Sequence, residues 1–108
     1  MKKEYVLVMM TAPSLEVAER ISAALLDAKL AACVNILPGM QSHYTWQGEI
    51  QHDQEVLLLA KTRYELFNEE FMRVVRQQHP YEVPEIITLP IQDGAPNYLG
   101  WIDEVTRS

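Results

Sequence analysis

A chain of 108 residues, 48% hydrophobic and 22% charged, is long enough for one hydrophobic core and too short for two. This predicts a single domain over 1–108 and excludes disordered, collagen-like and disulfide-scaffold classes. Its 9 basic against 15 acidic residues leave a formal charge of −6, which repels a phosphate backbone and anionic lipid, so neither nucleic acid nor membrane is expected as a partner.

The lone cysteine, Cys33, has no intramolecular disulfide partner and excludes a multi-thiolate zinc or iron–sulfur site within one subunit. With a Met1-Lys2-Lys3-Glu4 start that lacks a secretory pattern, the expected localisation is cytoplasmic.

Along the chain, Tyr5 to Met10 is a continuous apolar run closed by Thr11-Ala12-Pro13 and reads as a buried strand. Val17, Ile21, Ala24, Leu25 and Ala28 then recur at helical spacing, with Ser14 as N-cap. Ala32 to Leu37 and Gln41 to Trp46 form one long strand bent at Pro38-Gly39, because proline removes a ladder donor and glycine permits a bulge. Gln47-Gly48 reverses the chain into a third strand whose apolar block is Val56 to Ala60.

Thr62 followed by Glu65 has the spacing of a capping box, predicting that a second helix starts there. Its core face would be Phe67, Phe71, Val74 and Val75, and His79-Pro80 would end it. Pro84 to Ile91 is an edge strand bracketed by prolines, and Tyr98, Trp101, Ile102 and Val105 fall on one side of a terminal helix.

The order β-α-β-β-α-β with an added helix predicts an α+β sandwich of the ferredoxin-like, split-βαβ type with an extended hairpin. Right-handed crossovers put both main helices on one face of the sheet. Tyr5 to Met10 and Val56 to Ala60 are nevertheless apolar at every position, so the second face also needs a cover. The terminal helix is one candidate, yet a helix of about 11 residues spans only part of a sheet. Other copies of the chain are therefore the expected cover.

Met10-Thr11-Ala12-Pro13, Ala31-Ala32-Cys33-Val34-Asn35-Ile36-Leu37-Pro38-Gly39 with Tyr44-Thr45-Trp46-Gln47-Gly48, and His79-Pro80-Tyr81-Glu82-Val83-Pro84-Glu85 together resemble the CutA family of divalent-ion tolerance proteins. The likeness runs through Leu59-Ala60-Lys61-Thr62 to Tyr98-Leu99-Gly100-Trp101 and covers nearly the whole chain. It implies a ferredoxin-like subunit, a homotrimer whose hairpins extend the sheets between subunits, and a structural similarity to PII signalling proteins. It further implies a non-enzymatic role in the response to metal ions. Copper, as Cu(II), is the leading ion among divalent cations.

The copper site proposed for the family uses a cysteine just before Thr-Ala-Pro and two histidines just before Pro-Tyr. This sequence carries Met10 at the thiol position and Gln78-His79 at the histidine pair.

The metal candidates are accordingly His79, Met10, Glu82 and Glu85: an imidazole, a thioether and two carboxylates. Against that, a histidine at the end of a helix also caps carbonyls there. Tyr44, Trp46, Glu55, Lys61 and Tyr81 are the candidates for an inter-subunit cleft that takes a small polar effector, the expectation that follows from the PII likeness. A scaffold role is the third alternative. His43, His52 and Cys33 read as structural or surface residues, since none has C-x-x-C or H-x-x-x-H spacing.

Overall fold

The computed structural model describes residues 4–108, so the Met1-Lys2-Lys3 start lies outside it. Strands Tyr5–Ala12 (β1), Cys33–Trp46 (β2), Glu49–Arg63 (β3) and Ile86–Pro90 (β4) form one sheet in the order β2-β3-β1-β4. All three pairings are antiparallel. Helices Leu15–Asp27 (α1), Glu69–Gln78 (α2) and Pro96–Val105 (α3) complete the α+β, ferredoxin-like arrangement.

Strand alternation explains the uniformly apolar segments. In β1, Val6, Val8, Met10 and Ala12 are buried against the helices, whereas Leu7 and Met9 point to the opposite face and stay half-buried. In β3, Val56, Leu58, Ala60 and Thr62 take the inner face, and Leu57 and Leu59 the outer one. The inner face meets Ile21 and Leu25 of α1 and Phe71 and Val75 of α2 in a single core cluster. Each large apolar side chain fully buried there stabilises by roughly 1.5–3 kcal/mol.

Local signals set most boundaries. Ser14 Oγ accepts the Val17 N–H at 3.2 Å and starts α1. Gly39 takes φ +85° at the register shift between Leu37 and Met40. Gln47 and Gly48 both have positive φ, the requirement of a two-residue hairpin turn matched to strand twist.

The capping box at Thr62 is overturned. Thr62 continues the ladder opposite Val6, and its buried hydroxyl donates to the Leu30 carbonyl at 2.7 Å. Glu65 pairs instead with Arg63. A 3₁₀ turn, Tyr64–Leu66, follows, and α2 starts at Glu69, where Asn68 Oδ1 accepts the N–H groups of Glu70 and Phe71 at 3.0 and 3.2 Å. Strand pairing with β1 outweighs the local cap, as long-range partners override local propensity. Consequently Phe67 lies ahead of α2 and packs edge-on to Phe71 at 5.3 Å.

Two further expectations shift. β4 is shorter than the expected 84–91 strand, because Pro84 and Glu85 remain in the loop that leads to it. On α3 only Ile102 is fully buried, whereas Tyr98 and Trp101 are exposed and pack on each other at 5.5 Å.

The helix covers one end of the outer sheet face. There the Tyr5 phenol donates to Asp103 at 2.7 Å and the Arg63 Nε–H to Thr106 at 3.1 Å. Leu37, Ile87 and Leu89 of that face stay exposed and Leu7, Met9, Leu57 and Leu59 half-buried. The terminal-helix cover is therefore partial.

Candidate functional site

Where the hairpin leaves the body of the sheet, a cleft of about 620 Å³ opens between the arm 42–46, Glu55 on β3 and the loop 81–85, with Thr11 at its base. The loop exists because Pro80 cannot continue α2 and restricts His79 to an extended conformation, φ −96° and ψ 129°.

His79 then holds the loop to the sheet. Its Nε2 lies 2.7 Å from the Thr11 carbonyl and must donate; its Nδ1 accepts the Tyr81 N–H at 3.1 Å. The two bonds select the neutral Nε2–H tautomer and engage both ring nitrogens. His79 is 8% exposed, and its ring lies 4.8 Å from that of Tyr81. The capping role expected of His79 is thus redirected, since the ring serves the end of β1 and only the backbone N–H bonds back to α2, at Arg76.

Of the residues expected at a cleft, Tyr44, Trp46, Glu55 and Tyr81 line this one together with Glu82 and Glu85. The Tyr44 phenol donates to Asp53 and the Tyr81 phenol to Glu55 at 3.4 Å. The hydrogen bond to Asp53, then desolvation and the charges of Asp53, Tyr81 and Glu55, push the Tyr44 phenol up to about 12. Desolvation first, then the charges of Glu55 and Asp53, raise Tyr81 above its ordinary value.

Lys61 does not join them. It sits six residues beyond Glu55 on β3, roughly 20 Å along the strand, and donates to Asn35 beside Cys33. Met10 is fully buried on the helix side of β1 and does not line the cleft.

Among the described residues, no group of three or more His, Cys, Asp or Glu side chains forms a ready metal cage. Nor does a lysine or arginine line the cleft. What the arrangement offers is a negatively biased, aromatic-walled recess with the three carboxylates Glu55, Glu82 and Glu85 as oxygen donors and the His43 imidazole on its wall. Reading by motif missed Asp53, whose role follows from the register, and the pairing of His43 with His52 directly opposite on the hairpin. Their rings stand 4.2 Å apart. The signal was present in the Gln47-Gly48 turn, from which the two histidines are equidistant.

A family model described as CutA1 divalent ion tolerance protein matches residues 6–105. The chain belongs to the CutA1 family. Among its CutA1 relatives, the divalent-cation tolerance protein CutA of Thermus thermophilus is 52% identical over 99 residues, which cover 92% of this chain and 95% of that protein. The solved Thermus structure superposes with a TM-score of 0.92 at 50% identity, covering 95% of this chain and 99% of that one.

CutA1 of Shewanella sp. SIB1 gives a TM-score of 0.94 at 39% identity over the full length of both chains. Mouse protein CutA is 45% identical over 98 residues, 91% of this chain but only 55% of the mouse protein, so this chain spans about half of that longer relative. CutA1 proteins take their name from tolerance to divalent ions and not from a reaction.

Proposed function

We propose that this chain acts in divalent-cation tolerance as a homotrimeric, non-enzymatic cation-binding protein. The observation that carries the reading is the cleft, in which Glu55, Glu82 and Glu85 face a recess that no lysine or arginine of the described residues lines. Carboxylate oxygens in such a field attract cations, whereas phenols held protonated donate hydrogen bonds and are poor nucleophiles. Copper(II) leads, because it stands at the top of the affinity order for a given site of oxygen and nitrogen donors.

His79 contributes as the brace that sets the loop bearing Glu82 and Glu85 and ligates only if the Tyr81 N–H releases Nδ1. Met10 joins only if the core opens, since it is fully buried. The trimer is supported by the outer sheet face, where Leu37, Ile87 and Leu89 are exposed, and by the hairpin tip, where Ile50 is 83% exposed beside Trp46. A contiguous apolar surface of this extent marks an interface.

Native mass spectrometry of protein purified without chelator, followed by Cu(II) calorimetry on wild type and on Glu82→Gln/Glu85→Gln, tests both parts. A trimer with copper affinity lowered at least tenfold in the double variant is expected. A monomer removes the assembly, and equal affinities remove the carboxylate site. A PII-like alternative, binding of a small polar effector without metal, is favoured by the aromatic walls Tyr44, Trp46 and Tyr81 around a volume suited to a small molecule. Effector-dependent melting in the presence of chelator would establish it.

A further inference from the structure

The hairpin formed by β2 and β3 holds two histidines that no cleft ligand set includes as a pair. His43 and His52 are direct cross-strand partners in the antiparallel register, flanked by Gln41 opposite Gln54 and Thr45 opposite Ile50. Side chains at such positions project from the same face of the ribbon, close enough to touch. Here the ring centroids are 4.2 Å apart and the ring planes are tilted by 50°.

Two imidazoles that share a metal ion at metal–nitrogen distances near 2.0–2.1 Å bring their ligating nitrogens to about 3 Å from one another. The contrast with His79 decides the matter. His79 spends both ring nitrogens on backbone partners. His43 and His52 are exposed, and among the described residues their rings contact each other.

We propose that His43 and His52 form a two-imidazole chelate for a transition-metal dication of borderline softness, Zn(II) or Cu(II), with water in the remaining positions. Imidazole pairs favour these ions over Mg(II) and Ca(II), which prefer oxygen. The ribbon supplies the preorganisation: once one imidazole binds, the second is presented at high effective concentration without ordering any loop. The site differs from the carboxylate set of Glu55, Glu82 and Glu85 in donor type; His43 also lines that cleft, and the carboxylate variant separates the two sets.

The test uses the full chain and four proteins: wild type, His43→Gln, His52→Gln and Glu82→Gln/Glu85→Gln. Zn(II) calorimetry on the carboxylate variant should retain a site of wild-type affinity. Each histidine variant should lose roughly tenfold or more at that site, as a chelate reduced to one donor does. Paramagnetic resonance of bound Cu(II) should show coupling to two imidazole nitrogens in wild type and to one in either histidine variant. The metal-free melting temperature and mass of each histidine variant are read beside wild type, so that a loss of affinity is assigned to the missing ligand and not to the fold or the assembly.

Unchanged Zn(II) affinity in both histidine variants overturns the proposal. So does loss in only one of them, which means a single imidazole binds alone, and so does loss of all binding in the carboxylate variant.

Discussion

Replacing His79 with alanine should cost stability as well as reshape the cleft, and the size of the cost follows from its hydrogen bonds. The variant leaves the Thr11 carbonyl, 2.7 Å from Nε2 in a buried setting, without that donor. An orphaned buried acceptor costs about 1–3 kcal/mol. Loss of the acceptor for the Tyr81 N–H, 3.1 Å from Nδ1, adds about 0.5–1.5 kcal/mol.

Together about 2–4 kcal/mol is expected, a fall of roughly 10 °C or more in melting temperature for a domain of this size. Melting must be compared at one protein concentration, because the proposed trimer would make it concentration-dependent. His79→Gln, whose amide N–H can still reach the Thr11 carbonyl, should recover about half of the loss. Denaturant unfolding gives the free energy, and hydrogen exchange at Tyr81 reports the loop. A loss under about 0.5 kcal/mol with unaltered Tyr81 protection would refute the assignment of His79 as the brace.

Leu59 sits in the middle of the outer sheet face, between Met9 and Asn35 in the register. Leu59→Glu should leave the subunit folded, since that face is open, yet split the proposed trimer, because a carboxylate buried in an apolar interface costs several kcal/mol. Light scattering after size exclusion reads the mass, and an intact trimer would show that this face is not the interface.

The Tyr44 phenol, raised to about 12 first by its bond to Asp53, keeps its proton in the folded protein where the unfolded chain has lost it. Its contribution is complete below about pH 10 and is lost as pH climbs from about 10 to about 12. Tyr5, raised first by its hydrogen bond to Asp103, and Tyr81, raised first by desolvation, act in the same direction. Asp53→Asn should therefore flatten the alkaline decline without abolishing it, and restore one tyrosine to near-ordinary titration by ultraviolet absorbance. An unshifted titration curve would break the Tyr44–Asp53 link.

Elements that depend on near neighbours were legible without coordinates. Ser14 caps α1, Gln47-Gly48 turns the hairpin, Pro38-Gly39 marks the bulge and Pro80 ends α2, each through backbone geometry within a few residues. The uniformly apolar strands were also sufficient to say that both sheet faces carry apolar side chains. Wherever a residue had a choice between a local and a distant partner, only tertiary structure decided.

Thr62 has the spacing of a cap, but the ladder opposite Val6 and the Leu30 carbonyl take it, because β1 offers a full row of bonds against a single capping pair. His79 was a metal candidate by its place before Pro80-Tyr81, yet the Thr11 carbonyl and the Tyr81 N–H claim its two nitrogens. Lys61 shares a strand with Glu55, but a strand separates residues by about 3.3 Å each, so one chain segment serves two distant places. His43 and His52, unremarkable in a linear reading, meet because the turn sets the register. Sequence by itself determined the short-range geometry and the apolar inventory of this protein. Which polar groups find one another was settled only when the chain closed, since hydrogen bonds and ligand sets are fixed by distance in space.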